Sequence, residues 1–199
     1  MEDTGHRFTT IYGRNLVGEL ANFVHWPYLV VTMEDLWPTF EPYFDGHMAG
    51  VHFVKTLELE KLGNVVEALP HCHSVIGLGG GQAIDIAKFI AWSRRLPLFQ
   101  LPTAMTVNAP FGHRAGIRDK GKVRYMGWAV PEAVYVDFEV IQSAPPSSIG
   151  VGSAKFSVTI RPITIGNWLT TLAKPNPNGP TMSVWSPRRA RCWPALWPG

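Results

Sequence analysis

The sequence predicts an α/β domain, a parallel β-sheet with helices on both faces, and three observations lead there. Short apolar runs recur along the first 150 residues, separated by helix-length segments of about 10 to 15 residues. A glycine cluster joins one of those runs to the segment that follows it. The composition, 46% hydrophobic and 17% charged over 199 residues, suits one compact domain able to bury about 70% of its unfolded surface.

The elements follow in order. Tyr28 to Thr32 is a continuous apolar run and reads as a strand, with a helical pattern through Leu36, Phe40 and Phe44 after it. Val51 to Val54 repeats the strand signal. The stripe Leu57, Leu59, Leu62, Val65, Val66 and Leu69 approximates a 3.6-residue period and stops at Pro70. Ser74 to Leu78 is a third strand; it enters Gly79-Gly80-Gly81 and then a helix carrying Ile84, Ala87, Lys88 and Trp92 on nearby faces. Leu98 to Leu101 is a fourth, stopped by Pro102. From Thr103 to Lys122 the chain turns polar and reads as a long functional loop, before two further β-like stretches at Val123 to Val130 and Ala133 to Phe138. Residues 1–150 are thus expected to form a Rossmann-like domain, and residues 151–199 an irregular basic tail.

Charge divides the chain in the same place. No Asp or Glu occurs from Val140 onward, where Lys155, Arg161, Lys174, Arg188, Arg189 and Arg191 give +6 against −3 for the first 139 residues. A basic arm for nucleic acid or lipid is the rival reading of that tail, ranked low because such a surface needs cations organised on a folded scaffold. No apolar run approaches the roughly 20 residues of a membrane span, and the opening Met1-Glu2-Asp3 carries acids where a signal peptide carries Lys or Arg. A cytoplasmic protein without membrane or nucleic-acid partners is expected. Cys72 and Cys192 are too few and too far apart for a disulfide framework or a zinc ligand set. His71-Cys72-His73 is read as structural, with its two rings expected on opposite faces and no further ligand nearby.

The segment from Val75 to Lys88, VIGLGGGQAIDIAK, carries the most chemistry. Glycines between a strand and a helix let the backbone approach a phosphate, and the helix N-terminus offers N–H groups and a favourable dipole to an anion. Asp85, one turn in, also reads simply as a first-turn acid favoured by that dipole. This segment, followed by LPLFQLPTAMTVNA, resembles the family of iron-containing alcohol dehydrogenases, glycerol dehydrogenases, glycerol-1-phosphate dehydrogenases and the related 3-dehydroquinate synthases. The likeness runs from Ile11-Tyr12-Gly13-Arg14 through VPEAVYVDFEVIQSAPP.

The resemblance implies a metal-dependent, NAD(P)-linked oxidation of a small alcohol, polyol or polyol phosphate. It implies that Gly79, Gly80 and Gly81 hold the cofactor diphosphate, with Asp85 as the acid of the same motif, and that Thr103 and Thr106 contact its ribose and nicotinamide end. Glu34 and Asp35 follow the first predicted strand, where dinucleotide folds hold the adenosine ribose; an acid there favours NAD over NADP, and a solvated helix-start acid reads equally well. Asn108 stands in the substrate loop where glycerol dehydrogenases carry Asp, which argues against glycerol itself. Around it His113, Arg114, Arg118, Lys120, Lys122 and Arg124 make the loop cationic, suited to a phosphorylated or carboxylated substrate or simply solvated. Asp137 reads as structural.

The family's iron or zinc is held by an Asp in an AGxGD context and by downstream His residues in a helical domain. Here Gly150-Val151-Gly152 is followed by Ser153, so no metal ligand is assigned. Read one base out of register, Lys155 to Leu169 accommodates the string EVLCYHTAHYDWKLA, which resembles the family's continuation. The tail is therefore expected to be a frameshifted translation, with the helical domain missing and a homo-oligomer formed only by the complete protein. Two other readings stand beside the dehydrogenase: a non-catalytic dinucleotide-binding fragment, and a carbon–oxygen lyase like 3-dehydroquinate synthase.

Overall fold

The computed structural model describes residues 9–44, 46–105 and 108–144. Six parallel strands form one sheet: β1 (Thr9–Gly13), β2 (Tyr28–Thr32), β3 (Met48–Phe53), β4 (Ser74–Gly79), β5 (Leu98–Pro102) and β8 (Ala133–Asp137), in the order β1-β8-β5-β4-β2-β3. Strands β2, β4, β5 and β8 are buried throughout, which is why they read in the sequence as unbroken apolar runs rather than alternating ones.

Helices cover both faces. On one, α1 (Leu16–Phe23) and the short α2 (Trp37–Phe40) pack Leu20, Trp37 and Phe40 against Val30, Ile76 and Leu101. On the other, α3 (Leu59–Ala68) and α4 (Gly81–Arg94) bury Leu62, Ile86 and Ile90 with Leu29, Val31 and Val75. α4 is apolar almost all round, with Ala83, Ile84, Ile86, Ala87, Phe89 and Ile90 all buried. Such a helix needs cover on its outer side as well. An antiparallel hairpin supplies it: β6 (Ala115–Asp119) and β7 (Lys122–Met126), with Ala115 and Ile117 turned into the core.

The hairpin corrects the reading of Thr103 to Lys122 as one long loop. Its turn is Lys120-Gly121, both at positive φ (49° and 75°), which matches the right-handed twist of the two strands. β7 ends at Met126, short of the predicted Val130, because Gly127 takes φ 69° and leaves the strand. β1 and α1 are elements that the periodicity did not announce, and the strand expected at Val51 to Val54 begins earlier, at Met48.

Asp137 joins the two ends of the described fold. It is 1% exposed at the end of β8; its Oδ1 accepts from the backbone N–H groups of Glu139 (2.9 Å) and Val140 (3.4 Å), capping α5 (Phe138–Gln142), and its Oδ2 accepts from Leu16 N (2.7 Å) at the start of α1. Arg94 performs a similar service elsewhere, donating to the carbonyls of Val66, Leu69 and Pro70 at the C-terminal end of α3. No helix among the described residues is long and apolar enough to cross a membrane.

Candidate dinucleotide site and adjoining cationic cavity

The chain passes from β2 to the edge strand β3 and then returns to place β4 on the other side of β2. That reversal opens a crevice beyond the carboxyl ends of β2 and β4, the place where open α/β sheets bind their ligands. Gly79, Gly80 and Gly81 lie there. Gly79 takes φ 143°, and a Cβ on it would stand 2.9 Å from Ala83 Cβ, so only glycine lets α4 start this close to its strand.

Gly80 differs. Its backbone (φ −78°, ψ −172°) accepts any residue, and a Cβ there would meet nothing within 4 Å. It caps α4 without a side-chain hydrogen bond. Neither fold geometry nor packing asks for glycine at 80, and the missing side chain leaves the N–H groups of the first turn of α4 open to approach by an anion. This is the observation by which the residues present fit a dinucleotide.

Thr103, buried at the end of β5, donates its backbone N–H to Gly79 O at 3.1 Å, so two of the predicted cofactor segments meet. Thr106 lies outside the described residues. Glu34 and Asp35 are exposed in the turn after β2, and the neighbouring Leu36 reaches Cδ1 to 3.5 Å of the Cβ position of Gly79.

One turn further along α4, Asp85 accepts an ion pair from Lys88 Nζ at 2.7 Å. Lys88 is 1% exposed, and its ammonium also donates to the carbonyls of Ala109 (3.1 Å), Gly112 (3.4 Å) and Arg114 (2.6 Å). Beside this pair opens a cavity of about 510 Å³, lined among others by Asn108, His113, Arg114, Arg118, Tyr125 and Trp128. The predicted substrate-loop residue and three of the six predicted loop cations thus come together. The Arg114 guanidinium lies 6.0 Å from the Trp128 ring centroid and the His113 ring 5.0 Å from it. Of the other cations, Lys120 sits in the hairpin turn and Arg124 pairs with Asp119 at 3.1 Å.

Lys88 carries no functional signal of its own in the sequence, although it stands at i+4 from Ile84 and i−3 from Ala91, inside the apolar stripe. Gln100 carries none either, and its buried amide finds no hydrogen-bond partner among the described residues.

His71 and His73 correct their expectation. Their rings meet edge to face at 5.2 Å while Cys72, between them in sequence, is buried in the core, because an extended stretch returns alternate side chains to the same face. Among the described residues, no group of three or more His, Cys, Asp or Glu could hold a metal ion. Burial pushes the Cys72 thiol up, against the opposing pull of the Arg94 guanidinium. Cys192, Ser153 and the basic tail lie outside the described residues.

The profile of the iron-containing alcohol dehydrogenase family matches residues 44–145, just over half of the chain. The chain belongs to that family. Among curated proteins, this iron-containing alcohol dehydrogenase relative is 38% identical over 90 residues to the 3-dehydroquinate synthase of Corynebacterium glutamicum, covering 43% of the chain and 25% of that protein. It is 29% identical over 109 residues to the glycerol-1-phosphate dehydrogenase [NAD(P)+] of Metallosphaera sedula, covering 51% and 30%. The fold is that of the sulfoacetaldehyde reductase of Bifidobacterium kashiwanohense, solved with NAD+, at a TM-score of 0.64 and 19% identity over 71% of this chain and 47% of that one. The chain spans about a quarter to a half of the length of the curated relatives it matches.

Proposed function

We propose that this chain is the dinucleotide-binding part of an NAD(P)-linked dehydrogenase whose substrate is a polyol phosphate. The free approach to Gly80 at the mouth of the crevice carries the reading. In this reading Gly79 to Gly81 receive the diphosphate on the first turn of α4, Thr103 contacts the ribose and nicotinamide end, with Thr106 assigned there by the family resemblance alone, and Asp85, the acid of the same motif, engages Lys88 rather than the cofactor. When bound, the nicotinamide supplies the acceptor for a hydride from the carbinol carbon. The cationic cavity beside Asn108 suits the phosphate of such a substrate, held by Arg114 and Arg118. Among the described residues no set of donors for iron or zinc is assembled.

Calorimetric titration with NADH and with glycerol 1-phosphate tests this. Both are expected to bind, and Arg118→Glu is expected to weaken the phosphate ester about tenfold while leaving NADH within about twofold. A wild-type chain that takes neither ligand overturns the reading.

The likeness to 3-dehydroquinate synthases, 36 to 38% over about 90 residues in the first relatives, favours a lyase as the second reading. The two separate on products. A dehydrogenase accumulates NADH, whereas a lyase of this kind returns its NAD to the starting state.

A further inference from the structure

We propose that Lys88, held by Asp85, is a positioning residue that fixes the geometry of the pocket loop and ties it to the helix of the dinucleotide cradle. The inference rests on the reading above only for what the pocket takes.

An ammonium withdrawn from water is costly unless oxygens surround it. Lys88 has four: one Asp85 carboxylate oxygen and three carbonyls. All three carbonyls come from one stretch, residues 109 to 114, which begins next to Asn108 and ends with His113 and Arg114 at the cavity wall. Because all of its carbonyl ligands come from this one loop, the oxygens that satisfy the ammonium also fix the stretch whose side chains face the pocket.

Asp85 has a second contact. A Cβ on Gly116 would stand 2.9 Å from its Oδ2, so β6 packs directly against the carboxylate. One oxygen of Asp85 holds Lys88 while the other bears on the hairpin. Because Gly81, Asp85 and Lys88 share α4, the cradle and the clamp are set about 10 Å apart on one rigid rod. The cofactor helix thus places the substrate loop.

Hydrogen exchange on the full chain, with calorimetry using inorganic phosphate and NADH, tests the clamp. In Lys88→Met the Gly112 amide, which donates to Asn108 and Ala109, and the Ala129 amide, which donates to His113, are expected to exchange at least about tenfold faster. Phosphate is expected to bind at least about tenfold more weakly, with NADH within about twofold. Unchanged protection of the loop, or an equal loss for both ligands, overturns the proposal. If Lys88→Met does not fold, Gly116→Ala keeps both charges and displaces the Asp85 carboxylate; it must show the same split between phosphate and NADH, and its failure to do so overturns the proposal too. A wild-type chain that binds no phosphate defeats the substrate reading instead, and loop exchange then decides the role of Lys88 alone.

Discussion

Gly80→Asp is expected to abolish dinucleotide binding, by at least about 100-fold, without loss of stability. A Cβ at this position would meet no atom within 4 Å, and the backbone there is one that any residue adopts. As an N-cap, aspartate is at least as favourable as glycine, so thermal unfolding should be unchanged or raised slightly. The same carboxylate would stand where a diphosphate approaches, and two like charges about 4 Å apart at an effective dielectric near 20 repel by about 4 kcal/mol. Paired melting curves and NADH titrations on the two chains check it. Equal NADH affinity in both would place the cofactor elsewhere.

Asp137→Ala is expected to destabilise the fold by about 3 kcal/mol, lowering the melting temperature by roughly 10 °C. Three backbone N–H groups, of Leu16, Glu139 and Val140, lose their acceptor at once. The Leu16 group is buried at the start of a helix that covers one face of the sheet, where water does not readily replace the carboxylate. Denaturant unfolding measures the cost. A loss under about 1 kcal/mol would show that α1 is held by its apolar face alone.

Strands β2, β4, β5 and β8 were legible because burial on both faces leaves an unbroken apolar signature. The turn after β4 was legible because three adjacent glycines have little other use. The hairpin was not, since β6 reads Ala-Gly-Ile-Arg-Asp and every residue of β7 but Met126 is exposed. Its indirect signal lay in α4, whose apolar residues surround the helix and so require a second cover. β1 escaped because it is a half-exposed edge strand, and α1 because it starts at Asn15, at φ 57°, with no capping side chain.

At the site, sequence order placed Gly79 to Gly81 and Thr103 in neighbouring segments, and the sheet register brought them into contact. The convergence of Asn108, His113, Arg114 and Arg118 on one cavity depends on how the hairpin folds back over α4, a tertiary event with no local signature. Lys88 stayed hidden for a different reason. A lysine inside a helix ordinarily reads as solvated, and only its place in the apolar stripe pointed to burial.

The most direct test of the dinucleotide cradle is hydrogen exchange of the unsubstituted chain with and without NADH. Slowed exchange is expected to concentrate in residues 79–84 and at Thr103, with strands β1 and β3 unaffected. NADH that binds without protecting residues 79–84, or that leaves the whole chain unprotected, would contradict it.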